Sequence, residues 1–136
     1  ANARIAYQAF REVFADTRFQ KLAARGVRRQ RPLWASTSTK DPAYPALYYV
    51  EALVAPDSVV TMPPETLATY RNHGDPRVRI HEDLPCAHAA FRQLGELGIE
   101  QEVFHKLEEE GIEKFTHSYN AILQSIREKA NAIVAA

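Results

Sequence analysis

The chain has 136 residues, 17 Lys plus Arg against 17 Asp plus Glu, and a formal net charge of zero. That length suffices for one domain with a real core, and the balance lacks the basic excess of a nucleic-acid binder. A single cysteine, Cys86, excludes an internal disulfide and fits a reducing compartment, while no apolar run approaches the ~20 residues of a membrane span.

The first residue is Ala1, and no basic segment followed by an apolar one marks a signal peptide. The chain therefore reads as a processed product, an expression fragment or the ordered part of something longer. Residues 1–25 read as helical, with Ala3, Ala6, Tyr7, Phe10, Val13 and Phe14 at helical spacing. A break is expected near Asp16–Thr17 and a stop at Gly26. The basic cluster Arg25, Arg28, Arg29 and Arg31 has no interleaved aromatics and reads as a solvated connection.

A strand is expected over 32–38. Leu33-Trp34-Ala35 is apolar on both faces, as in a parallel strand covered on each side by helices, with Trp34 as packing. Ser36, Thr37, Ser38 and Thr39 follow as a hydroxyl-rich tip, Lys40 adds a cation, and Asp41-Pro42 ends the strand. A strand end that combines hydroxyls with a cation suits a phosphate or sugar phosphate.

Residues 46–54 read as a short helix with Leu47, Val50, Leu53 and Val54 inward, and Tyr44, Tyr48 and Tyr49 as packing and rim residues. Ser58–Met62 is a second short, β-branched strand ended by Pro63-Pro64. Glu65–His73 continues as a helix with Leu67 and Tyr70 inward, stopped by Gly74-Asp75-Pro76. This alternation of helices and strands marks parallel βα units.

Val78-Arg79-Ile80 reads as a connector. Asp83 is expected to cap a helix running through Leu97 and stopped by Gly98. Glu100–Glu110 is expected as a further helix burying Val103, Phe104 and Leu107 and ending at Gly111. From Glu113 a final helix of about twenty residues carries Phe115, Tyr119, Ile122, Leu123, Ile126, Ala130 and Ile133 on one stripe. Glu108, Glu109 and Glu110 read as a solvated helix end, and Cys86 as a packing residue rather than a nucleophile. No two of the five histidines stand at the i, i+4 separation of helical zinc ligands, so no metal site is expected. Two strands cannot close a (β/α) barrel, which needs about eight. Either the chain is part of a larger barrel, or its helices bury the strands in another way.

The stretch Arg31–Pro45 resembles part of bacterial transaldolases. Tyr49–Leu53 and Ser58–Leu67 follow at that family's spacing, Leu107–Phe115 is similar to its late helical signature, and Ala1–Tyr7 is similar to the helix before its seventh strand. The resemblance covers essentially the whole chain but only the C-terminal portion of such an enzyme. It implies an α/β fold, namely the last part of a TIM (β/α)8 barrel. Residues 1–76 would hold the last two βα units with a preceding helix, and 77–136 a C-terminal helical tail of the kind that helps cover the family's active-site mouth.

The resemblance also implies a cytoplasmic enzyme of the pentose phosphate pathway with no cofactor. It would transfer a dihydroxyacetone unit between sugar phosphates through a lysine Schiff base. That lysine and the acid/base carboxylates match no position here, so no catalytic residue is assigned to this chain. Lys40, beyond the strand end beside Asp41, is not read as the Schiff-base amine. Ser36, preceded by Ala35, matches the family's serine near the substrate phosphate, whereas Ser38 stands where familiar members have arginine. Ser36, Ser38 and Lys40 are the expected phosphate-facing residues. The expected partners are the sugar phosphate and either further copies of the chain or the missing N-terminal part of the barrel. The competing readings are a non-enzymatic, self-associating helical module, another phosphosugar barrel, and a transaldolase–isomerase fusion.

Overall fold

A computed structural model of the chain describes residues 1–134. The elements are α1 (Asn2–Ala15), α2 (Thr17–Ala23), β1 (Leu33–Trp34), α3 (Tyr48–Ala52), β2 (Val59–Val60), α4 (Pro64–His73), α5 (Leu84–Glu96) and α6 (Glu100–Val134). Contacts group the chain into two units, Ala1–Phe91 and Arg92–Ala136.

In the first unit the helical start breaks where the sequence places the break. Asp16 is extended (φ −61°, ψ 145°), and its carboxylate accepts from Arg18 N at 2.7 Å, capping α2. Gly26, at φ 87°, closes α2: Gly26 N donates to the Ala23 carbonyl at 2.9 Å and Val27 N to Leu22 at 3.2 Å. That paired pattern needs a left-handed residue and so favours glycine. Phe10, Phe14 and Phe19 form a ring ladder from α1 to α2, with centroids 5.2 and 4.6 Å apart.

β1 and β2 pair in parallel, Leu33 with Val59 and Trp34 with Val60. Pro32 offers its carbonyl to Val59 N, and Trp34 its carbonyl to Thr61 N, each at 2.9 Å. The strands are shorter than expected. Ser36 turns to φ 55°, a left-handed conformation that ends ladder pairing two residues after Trp34. Leu33 is also 57% exposed, so β1 is not covered on both faces. The sheet contains only these two strands among the described residues.

The core of this unit is Tyr7, Leu47, Val50, Ile80 and Ala87. α3 carries Val50 inward, and Tyr7 donates its hydroxyl to the Pro56 carbonyl at 2.9 Å, joining α1 to the turn before β2. His88 Nε2 lies 3.0 Å from Gln8 Oε1, tying α5 to α1. In α4 the buried residue is Thr66, while Leu67 is 54% exposed, against expectation. Starting the helix at Pro64 sets a phase in which Thr66 and Tyr70, four apart, share the inner face, and Leu67 lies about 100° round from Thr66. Asp83 (φ 50°) precedes α5 and lends its carbonyl to Ala87 N at 3.0 Å. Cys86, expected to pack, is exposed.

In the second unit one helix replaces the two expected. α6 runs unbroken through Gly111 for 35 residues. Glu110 binds Lys114 at 3.0 Å and faces Lys106 at 3.9 Å, while His105 pairs with Glu109 at 3.2 Å. Glycine costs a helix about 1 kcal/mol. A continuous backbone ladder with i,i+4 pairs on both sides of Gly111 outweighs that cost. Val103, Phe104 and Leu107, expected to be buried, are exposed, as are Ile112, Phe115, Tyr119, Ile122 and Ile126.

Candidate functional site at the carboxyl ends of the strands

Because β1 and β2 are parallel, the segments that follow them, 35–40 and 61–63, leave the sheet at the same end. One side chain joins them. Thr37 is 1% exposed, and its hydroxyl donates to the Thr61 carbonyl at 2.7 Å. Thr61 in turn donates its hydroxyl to the Trp34 carbonyl at 3.1 Å. Of the four hydroxyls in the expected tip, Thr37 is thus committed to holding the loop.

The three expected phosphate-facing residues emerge from that anchored loop. Ser36 is exposed, Ser38 half-buried and Lys40 exposed, all within six residues of the end of β1. Among the described residues Lys40 forms no ion pair. Asp41 turns its carboxylate back onto its own chain, accepting from Ala43 N at 2.9 Å, while Tyr44 N donates to the Asp41 carbonyl at 3.1 Å. This double turn directs the chain into α3 immediately after Lys40. Tyr44, Tyr48 and Tyr49 follow as a mutually packed, exposed cluster, with Tyr44 and Tyr48 stacked at 5.3 Å. They form a rim, packing mainly against one another. The loop can offer an oxyanion two serine hydroxyls and an ammonium. Lys40 itself is exposed rather than enclosed.

A charged cluster braces the unit from behind α3, and nothing in the sequence singles it out. Arg79 donates to Glu51 at 3.3 Å and to Asp75 at 2.7 Å, while Glu51 accepts from Asp75 N at 3.1 Å. The Asp75 carboxyl is held below its usual range, chiefly by the hydrogen bond from Arg77 N and then by the Arg77 side chain and the Arg79 charge. Asp75 and Arg79 stand four apart, but both lie far from Glu51, by 24 and 28 residues, so local spacing does not betray that partner. Among the described residues no group of three or more His, Cys, Asp or Glu converges as a metal site, and no helix is long and apolar enough to cross a membrane.

Residues 1–126 match the Transaldolase/Fructose-6-phosphate aldolase family. The chain belongs to that family. It is 46% identical over 131 residues to a transaldolase of Parafrankia sp. (strain EAN1pec) and 47% identical over 131 residues to one of Saccharopolyspora erythraea. Over 133 residues it is 48% identical to a transaldolase of Mycobacterium tuberculosis. These alignments cover 95%, 95% and 93% of this chain, but the chain spans only 36%, 36% and 35% of those relatives. The family implies a TIM-barrel aldolase fold, with which two parallel strands joined through a helix agree. In such barrels the reacting groups stand at the carboxyl ends of the strands, the end at which Ser36, Ser38 and Lys40 emerge.

Proposed function

We propose that this chain is the C-terminal portion of a transaldolase. Residues 1–76 supply the last two βα units of a (β/α)8 barrel, and 77–136 a helical tail. One observation carries the reading: proteins named transaldolase align with nearly the whole chain, yet the chain spans 36% of their length. The intact enzyme would move a dihydroxyacetone unit from a ketose phosphate to an aldose phosphate in the cytoplasm, without a cofactor. A lysine outside this chain forms the Schiff base. Ser36, Ser38 and Lys40 grip the substrate phosphate, which orients the carbonyl toward that lysine.

Trapping with borohydride in the presence of fructose 6-phosphate tests both halves of this assignment. The 136-residue chain alone should gain no mass. The protein translated with its upstream coding sequence should gain a reduced adduct outside residues 1–136. A stable adduct on Lys40 would overturn the assignment. In that longer protein Lys40→Gln should raise KM for fructose 6-phosphate about tenfold, since a charge-assisted hydrogen bond is worth ~1.5–3 kcal/mol, with a smaller change in kcat.

A second reading, a self-associating helical module without catalysis, rests on the exposed apolar face of α6. An adduct-forming longer protein would set it aside.

A further inference from the structure

At the other end of the sheet lies a cleft of about 450 Å³ between α1 and the turns that precede β1 and β2. Its floor is aromatic: Tyr7 and Phe10 have ring centroids 5.6 Å apart, and Phe10 and Phe14 5.2 Å apart. Its polar lining holds two guanidiniums, Arg11 and Arg29, beside one carboxylate, Asp57, with Gln20 and His81 completing it. His81 stands 5.3 Å from the Tyr7 ring. Arg29 commits one nitrogen, Nη1, to Asp57 at 3.0 Å, leaving further donors of its fork. Arg11 forms no ion pair among the described residues.

We propose that this cleft binds a small anion carrying a flat apolar body, at a site separate from the Ser36–Lys40 loop. Arg29 and Asp57 lie just before β1 and β2, so the cleft opens at the amino ends of the strands and the proposed substrate loop at their carboxyl ends. Two guanidiniums against one carboxylate leave a positive excess over a stacking surface. That combination favours an oxyanion at the rim with an aromatic or similar flat group on the floor. The Tyr7 hydroxyl registers the same charges. Burial raises its pKa most, Arg11 and Arg29 lower it, and Asp57 raises it, so the three converge on one spot. Because Tyr7 already donates to Pro56, it serves as floor rather than donor.

Titrating the 15N-labelled 136-residue chain with phenyl phosphate, inorganic phosphate and phenol tests this. Phenyl phosphate should saturate and bind more tightly than either fragment, moving amides around Arg11, Arg29 and Asp57. Arg11→Gln should weaken binding about tenfold. Asp57→Asn should tighten it several-fold by removing the competitor for Arg29, and asparagine tolerates the φ of 57° found there. Dispersed amide spectra confirm that each variant is folded. Shifts that never saturate, that stay within residues 36–40, or that are indifferent to both substitutions would overturn the proposal.

Discussion

Thr37 holds the loop after β1 more than any other side chain in it. Its hydroxyl is buried and bonded at 2.7 Å to a carbonyl 24 residues away. Thr37→Val keeps the shape but leaves the Thr61 carbonyl without that donor, so urea denaturation should show a loss of about 1–2 kcal/mol. Ser36 behaves oppositely. It is exposed and sits at φ 55°, where a side chain costs about 1 kcal/mol or more. Ser36→Gly should therefore keep or improve stability while weakening any phosphate contact, which separates a binding role from a structural one.

Asp75 and Tyr7 each make stability depend on pH. The Asp75 carboxyl titrates lower in the folded chain than in the unfolded one. Its stabilisation is therefore present above the unfolded value of about 3.9 and fades as pH falls through the folded value. Tyr7 is raised, chiefly by burial. Its contribution is complete below about 10 and is lost as pH rises through the folded value. Chemical denaturation across pH should show both limbs, with Asp75→Asn flattening the acid one and Tyr7→Phe the alkaline one. The Tyr7 role was not legible in the sequence, because Tyr7 meets Pro56 only on folding, 49 residues away. The partners of Asp75, Arg77 and Arg79, are close in sequence, but a turn rather than a helix brings them together.

Among the elements, the sequence was most informative where a break has a local cause. Asp16 and Gly26 each impose a backbone conformation that no distant contact needs to supply. It misled at Gly111, where glycine was read as a stop as it was at Gly98. Gly98 does adopt φ 69°, whereas Gly111 stays helical, with nothing within 4 Å of the position its Cβ would take. Gly111→Ala should thus raise the stability of α6 by about 1 kcal/mol, read as a higher midpoint in thermal circular dichroism. Gly74→Ala should do the reverse, because its Cβ would strike the Tyr70 ring and carbonyl at the end of α4. The strand expected over 32–38 shrank to two residues for a related reason. Periodicity records apolar order, but a left-handed Ser36 and a side-chain bond from Thr37 can replace ladder pairing without changing that order.

At the scale of the whole molecule the telling feature is how much apolar surface is left open. Leu33 on β1 is exposed, and along α6 Ile112, Phe115, Tyr119, Ile122 and Ile126 follow in alternating three- and four-residue steps, all exposed, Phe115 by 81%. Such a stripe has the spacing of a packing seam. Leu123 and Ala130 broaden it toward the width that covers a globular surface. Apolar faces of this kind seek a partner in water. The isolated chain should therefore associate in sedimentation velocity as its concentration rises over roughly 1–100 μM. Phe115→Glu with Ile122→Glu should suppress that association about tenfold without lowering helix content, since both side chains point away from any packing that holds α6 in shape. If the unmodified chain stayed monomeric throughout, the stripe would not be a seam between copies of this chain. The reading of a self-associating helical module would then lose its physical support, and the stripe would be left as a face for the rest of the barrel.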